Sequence, residues 1–272
     1  MSSLTTLAKN WLPPAVAGIL RRMGAGGTRF EEGFESWDDA ASRCAGYGAA
    51  NILAKVLEAT LKVKGGQAAF ERDSVVFEKA DYAWPVLAGL IWAAAGNGGR
   101  LNVLDFGGAL GSSYFQGRTF WRALPDVRWN VVEQPHYVRV GQAQIQDERL
   151  RFYNTIADCL GENKPNAVLL SSVLQYVADP EKVIDELKQI RPNAIVIDRT
   201  IVNYSDVHRI YAQHVPAAIY PASYPCRSLS EDSLRTSMEP DYEMVADFQS
   251  LSFPALHSID SEFKGYIFQK VE

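Results

Sequence analysis

Asn102-Val-Leu-Asp-Phe-Gly-Gly-Ala-Leu-Gly-Ser-Ser113 is an apolar strand that ends in Asp105 and breaks at once into a glycine-rich turn. Glycine lets the backbone bend tightly and approach a ligand, so Gly107, Gly108 and Gly111 mark a cradle for a nucleotide-like molecule. Ser112 or Ser113 is placed to cap the helix that follows, whose free amide groups face the same space. A second strand, Val127-Arg-Trp-Asn-Val-Val-Glu133, ends in a lone acidic side chain. One ionised carboxylate accepts hydrogen bonds from two hydroxyls at once, which suits a ribose.

The spacing of the glycines narrows the ligand. A dinucleotide site needs Gly-x-Gly-x-x-Gly, with the helix start receiving a pyrophosphate. Here the run is Asp-x-Gly-x-Ala-x-Gly from Asp105 to Gly111. A carboxylate just ahead of the turn repels a pyrophosphate and attracts the ammonium of an amino acid. In this order, Val-Leu-Asp-Phe-Gly-Gly-Ala-Leu-Gly resembles motif I of the class I S-adenosylmethionine-dependent methyltransferases, and Glu133 looks like the ribose-binding acid of that family. The resemblance implies S-adenosylmethionine as cofactor. Asp105 then holds its amino-acid end and Glu133 its ribose, with Gly107, Gly108, Ala109, Gly111 and Gln134 around them. Ala109 stands where the family has its middle glycine and is small enough to keep the turn.

From residue 100 onward, apolar strand candidates alternate with helical patterns, as a doubly wound sheet requires. Leu150-Arg-Phe-Tyr153, Ala167-Val-Leu-Leu170 and Ala194-Ile-Val-Ile-Asp198 follow the first two strands, each short and fit for burial in a parallel sheet. The clearest helix starts at Asp179, a capping residue with Pro180 behind it. Val183, Ile184, Leu187 and Ile190 form its apolar stripe, and it ends before Pro192. Near the C-terminus, Tyr242–Gln249 and Gly265–Val271 read as a hairpin with no convincing helix between them. The fold expected is α/β, a Rossmann-like seven-stranded methyltransferase sheet with a C-terminal antiparallel hairpin and an N-terminal helical cap. Residues 30 to 95 are mainly helical, with Ser36 able to cap a helix and Ile52, Leu53, Val56, Leu57 and Leu61 in one stripe. The stretch from Gly96 to Gly99 divides an N-terminal extension, 1–98, from a methyltransferase-like domain, 99–272.

Leu169-Leu-Ser-Ser-Val-Leu-Gln-Tyr-Val-Ala-Asp-Pro180 also looks like the family's motif after the fourth strand. Ser171, Ser172 and Gln175 then sit at the carboxyl edge of the sheet, where open α/β sheets bind ligands. Many family members carry an acid just after the third strand, near the adenine. This chain has Asn154-Thr-Ile-Ala-Asp158, so Asn154 or Thr155 replaces it, or Asp158 reaches from the next helix.

Composition agrees with an enzyme of this kind. A chain of 272 residues with 47% hydrophobic residues buries a sizeable core. The net charge of −5, with no basic run or aromatic-interleaved basic patch, argues against a nucleic-acid partner. Cys44, Cys159 and Cys226 are far apart and odd in number, which gives no disulfide framework or metal site and fits a reducing cytoplasm. The N-terminus is interrupted by Pro13 and Pro14 and is neither a signal peptide nor a membrane span. Its Lys9, Arg21 and Arg22 beside Leu and Trp suit a weak peripheral membrane contact, or a mobile arm packing on protein. Asn203-Tyr-Ser205 matches a glycosylation sequon that has no secretory signal to go with it.

Methyl transfer from a sulfonium is an in-line displacement, so such an enzyme aligns its reactants and excludes water. An oxygen acceptor must also lose a proton to a positioned histidine or carboxylate. Asp198-Arg-Thr-Ile-Val-Asn-Tyr-Ser-Asp-Val-His-Arg-Ile-Tyr-Ala-Gln-His214 supplies the candidates, with Asp198 and Arg199 at the strand end and His208 or His214 as the base. The spacing of the histidines puts them on different faces if the segment is helical. No pair has metal-ligand spacing on a helix. Tyr47, Phe70, Arg72, Asp73 and Tyr82 are candidate pocket residues, and Tyr220 and Tyr224 can form a wall for a sugar ring.

Phe70-Glu-Arg-Asp-Ser74, Val132-Glu-Gln-Pro135, Gln213-His-Val-Pro216 and Ala222-Ser-Tyr-Pro225 resemble a less studied group of methyltransferase-like proteins associated with bacterial surface-polysaccharide pathways. That resemblance implies a glycan or small polar acceptor, methylated on oxygen. The alternatives are a nicotinamide (NAD)-dependent oxidoreductase and a non-catalytic binding protein with an inherited pocket.

Overall fold

The computed structural model describes residues 28–44, 50–72, 75–215, 222–251 and 254–271. Lys9, Arg21, Arg22, Tyr47, Asp73 and Tyr220 lie outside them. The chain runs through β1 (Arg29–Glu31), α1 (Trp37–Arg43), α2 (Ala50–Lys64), β2 (Phe70–Arg72), β3 (Val75–Phe77) and α3 (Trp84–Ala95). It continues as β4 (Arg100–Phe106), α4 (Ser112–Trp121), β5 (Asp126–Val132), α5 (Pro135–Val140), β6 (Leu150–Tyr153), α6 (Ile156–Glu162), β7 (Ala167–Ser171) and α7 (Pro180–Gln189). Last come β8 (Ala194–Asn203), β9 (Arg209–Val215), β10 (Ala222–Ser230), α8 (Glu231–Met238), β11 (Tyr242–Leu251), α9 (Pro254–His257) and β12 (Glu262–Lys270). Among the described residues no helix is long and apolar enough to cross a membrane.

Two compact units divide the chain at Ala49/Ala50, Ile210 and Cys226/Arg227. The smaller pairs β1 antiparallel to β9, with Arg29 opposite His214 and Glu31 opposite Ala212. Its helix α1 starts at Ser36, whose hydroxyl accepts from the Asp39 amide as the sequence predicts.

The larger unit carries a sheet in the order β6-β5-β4-β7-β8-β12-β11. Its first five strands are parallel, and β12 runs antiparallel to both β8 and β11. This is the expected Rossmann-like, seven-stranded α/β sheet with its C-terminal hairpin. One short helix, α9, interrupts the hairpin connection that the sequence reading left without one.

Alternation along the strands builds a core on each face. Ile195 and Ile197 of β8 join Leu104, Val168, Leu170, Ile184, Leu187, Leu234 and Met238 in one apolar cluster that includes residues of α6, α7 and α8. The helix α7 forms as its sequence dictates: Asp179 accepts from the Lys182 amide at 3.0 Å, Pro180 fits the first turn, and Ile184 and Leu187 are buried. Val196 points the other way, towards α3. A Cβ on Gly89 of that helix would lie 2.7 Å from Val196 and 3.4 Å from Ile267. The close packing explains why Gly96–Gly99 is only a turn inside the larger unit: α3 ahead of it is bound to the same sheet as β4 behind it.

Candidate functional site

Strand register sets five sequence-predicted residues in one line. Asp105 pairs with Val131 on one side and Leu169 on the other, Val131 pairs with Phe152, and Leu169 pairs with Val196. Two residues further along each strand lie Asn154, Glu133, Gly107, Ser171 and Asp198. The row crosses the carboxyl ends of β6, β5, β4 and β7, where an open parallel sheet presents its binding crevice, and meets β8 at Asp198 within the strand, which runs on to Asn203 instead of ending at Asp198 and Arg199 as the sequence predicts.

The turn after β4 alternates through the left-handed region, with φ of +72° at Gly107, +49° at Ala109 and +88° at Gly111. An L-residue in that region costs about 1–2 kcal/mol, and Ala109 bears this with its amide donated to Glu133 Oε2 at 3.3 Å. Gly111, not Ser112 or Ser113, is the N-cap of α4, and it offers no side-chain acceptor. Ser112 is already helical and its hydroxyl turns away to donate to Glu71 Oε1. The serine cap expected from the sequence is therefore replaced by a glycine cap.

Asp105 lies under this loop. Its side chain is 1% exposed, and a Cβ on Gly108 would fall 2.5 Å from its Oδ2. Oδ2 accepts from Trp129 Nε1 at 2.8 Å, while Oδ1 is buried with no hydrogen-bond partner. Burial pushes its pKa from 3.8 up to about 7, opposed by the Trp129 bond, raised by Glu133 and lowered by Arg199. With the loop in place the carboxyl offers a ligand its field rather than its surface.

Glu133 is partly buried, accepts from the Gln134 amide at 2.8 Å and from Ala109, and has its pKa raised by burial. Two acceptor positions of its carboxylate remain for a diol. Gln134 and Asn154 are exposed at the same edge. Thr155 is the N-cap of α6, with its hydroxyl accepting from the Asp158 amide at 3.0 Å, so its oxygen is committed to the helix. Thr155→Ala is expected to lower stability by about 1 kcal/mol in urea unfolding.

A β-bulge shapes the other end of the row. Between the pairs Lys264–Thr200 and Tyr266–Ile197, Asp198 and Arg199 face the single residue Gly265. A Cβ there would lie 2.2 Å from the Phe248 ring and 2.8 Å from the Ile197 carbonyl, so the close approach requires glycine. Arg199 takes φ +50°, and its guanidinium donates to Ser171 Oγ at 2.9 Å. Ser171 Oγ in turn donates to Asp198 Oδ2 at 2.9 Å. Arg199 Nε stands 3.2 Å from the same oxygen, outside hydrogen-bond geometry, so that contact is one of charge. Ser172, at φ +59°, donates its amide to the Asp198 carbonyl. Gln175 is fully buried and donates to Ser172 Oγ and the Arg199 carbonyl, leaving Oε1 without a partner. Arg199 has no sequence signal beyond its place after Asp198; the bulge aims it.

The two histidines are not on a helix. His208 precedes β9; its Nδ1 accepts from the Ser230 amide at 2.8 Å and its Nε2 pairs with Glu181. Both ring nitrogens are engaged in joining α7 to α8, the arrangement of a structural histidine. His214 lies on β9 in the smaller unit, 2.9 Å from Glu31 Oε2. Cys44, Cys159 and Cys226 are free thiols, and burial pushes Cys159 up to about 12. Sequence reasoning passed over Glu71, a carboxylate of β2 that is 3% exposed and bonded to the first residue of α4.

The strand order, with its reversed last strand, is that of the class I methyltransferase architecture. Solved structures similar to this chain include the N-terminal domain of EvdMO1 in the presence of S-adenosylhomocysteine and D-fucose, at 14% identity over 79% of this chain and 96% of that one, with a TM-score of 0.48. Burkholderia thailandensis 1,6-didemethyltoxoflavin-N1-methyltransferase is 18% identical over 84% and 93%, with a TM-score of 0.43. The [4+2]-cyclase SpnF is 12% identical over 89% and 98%, with a TM-score of 0.47. No family model matches the chain, and neither does any curated protein. At such identities and TM-scores the likeness carries no substrate or mechanism with it.

Proposed function

We propose that this protein is an S-adenosylmethionine-dependent methyltransferase acting on the oxygen of a small polar or glycan acceptor. The observation that carries the reading is the row Asn154, Glu133, Gly107 and Ser171 along the carboxyl edge, in line with Asp198. The residues present suit the cofactor. Gly107, Gly108, Ala109 and Gly111 form a cradle in which a Cβ at any of the three glycines would crowd Val173, Asp105 or Leu150, and Glu133 keeps acceptor positions for a diol. Two buried oxygens, Asp105 Oδ1 and Gln175 Oε1, lack donors. When bound, the cofactor supplies an electrophilic methyl group on a sulfonium.

The chain's own residues then have distinct tasks. The loop amides and Glu133 orient the adenosyl part, and Asp105 favours a cation from beneath Gly108 through a low-dielectric path. Ser171 is partly exposed with Asp198 behind it, so a proton leaving an acceptor hydroxyl passes to Ser171 as that serine yields its own to the Asp198 carboxylate. His208 has no nitrogen left for this task. A glycan acceptor follows the resemblance to surface-polysaccharide proteins, and the polar cluster of Ser171, Asp198 and Arg199 suits a hydroxylated compound.

Calorimetric titration with S-adenosylmethionine, S-adenosylhomocysteine and NAD tests the reading. Micromolar binding of both adenosyl ligands is expected. Hydrogen bonds to a charged group contribute about 1.5–3 kcal/mol, so Glu133→Ala should weaken them by roughly ten- to a hundredfold. Preference for NAD, or no adenosyl binding, would remove the reading.

A further inference from the structure

The helix α3, Trp-Pro-Val-Leu-Ala-Gly-Leu-Ile-Trp-Ala-Ala-Ala from Trp84 to Ala95, carries no charged side chain and no hydrogen-bonding one other than its two indoles. A helix that is apolar all round is built to be covered all round. Here one side is. Val86, Leu87, Gly89, Leu90, Ala93 and Ala94 are buried, and the helix packs on β4 and β8. The other side presents Trp84, 60% exposed, and Trp92, 45% exposed, with Ala88 and Gly96 exposed in the same row. A spacing of four residues keeps these positions on one helical stripe. Tyr82 and Phe120 extend the stripe beyond Trp84, at 5.2 and 5.6 Å between ring centroids. Contiguous exposed apolar surface marks a contact site.

We propose that this stripe is where a second copy of the chain docks, its α3 antiparallel to the first across a two-fold axis. Symmetry about the level of Leu90 sets positions equally far before and after it face to face. Ala88 then meets Trp92 of the second copy, and Trp84 meets Gly96 of the second copy. Each indole lies against a residue with little or no side chain, which is the large-against-small match that a self-complementary surface requires. The ends match in charge as well. Asp81 is exposed ahead of α3 and Arg100 is exposed just beyond it, so the antiparallel arrangement brings the carboxylate of each copy towards the guanidinium of the other. An anionic membrane calls for basic residues around the tryptophans, whereas this stripe carries an acid at one end. The inference does not depend on the cofactor reading.

The test is sedimentation equilibrium of the full chain, with far-UV circular dichroism checking that each variant is folded. The wild type is expected to form a dimer with a dissociation constant on the order of micromolar. Ala88→Trp sets indole against indole and Trp92→Ala leaves a gap, so each should weaken the dimer at least about tenfold. The double variant, Ala88→Trp with Trp92→Ala, restores the match with the sizes exchanged and should recover the dimer to within about threefold of the wild type. If Trp92→Ala does not fold, Trp84→Ser takes its place and should weaken the dimer at least about tenfold. A wild type that stays monomeric at about 100 micromolar would overturn the proposal, as would a dimer that Ala88→Trp leaves intact or a folded double variant no tighter than the single ones. A monomeric wild type that sediments with phosphatidylglycerol vesicles, and loses them on Trp84→Ser, would overturn it in favour of a lipid surface.

Discussion

Asp105→Asn is expected to raise the unfolding midpoint at pH 8, to lower it by up to the equivalent of about 2 kcal/mol near pH 4.5, and to flatten the pH dependence of adenosyl-ligand affinity. Burial raises this carboxyl from 3.8 to about 7 in the folded protein. Between those values the unfolded chain has released the proton while the folded chain still holds it. Stability therefore falls as pH rises from about 4 to about 7 and stays low above that, by about 4 kcal/mol for three pKa units. Asparagine carries no charge to desolvate, and its carbonyl oxygen can still accept from Trp129 Nε1. Its buried NH2 costs about 1–3 kcal/mol, so a net gain of roughly 1–3 kcal/mol remains at pH 8. Thermal unfolding across pH checks this; equal slopes for wild type and variant would show that Asp105 does not titrate there. In the wild type, affinity for the ammonium-bearing ligand should rise through pH 7 as Asp105 ionises, and the variant should show no such rise.

Gly108→Ala carries the second large effect, a loss of adenosyl-ligand binding together with lowered stability. The new methyl carbon would lie 2.5 Å from the Asp105 Cγ and Oδ2. Asp105 cannot retreat, because Trp129 holds its Oδ2 and packs in turn against Trp121 at 5.5 Å between ring centroids. The turn must lift instead, which breaks the Ala109–Glu133 bond and moves the cradle. Overpacking of this kind costs about 1–3 kcal/mol, a fall of roughly 2–5 °C for a chain of this size. A variant that binds S-adenosylhomocysteine with unchanged affinity would show that the turn is not the cradle.

The sequence by itself determined the parallel strands, the helix from Asp179, the closing hairpin, and the glycine turn with an acid at the end of each of the first two strands. These are local properties: alternation of apolar runs, a capping aspartate before proline, and glycines where the backbone must turn left-handed. Because the carboxyl ends of parallel strands all lie along one edge of the sheet, it also placed Gly107, Glu133 and Ser171 there, in line with Asp198. Other features depend on residues distant in sequence. The bulge opposite Gly265 is set by Phe248 and Ile197, and nothing near Arg199 announces its positive φ. His208 reads as a base until Ser230 and Glu181 occupy both its nitrogens. Ser112 reads as a cap until Glu71, 41 residues earlier, takes its hydroxyl. Only the tertiary structure decided that Asp105 lies beneath the turn rather than facing outward, since its burial comes from Gly108 and Trp129 closing over it, a contact that no periodicity records.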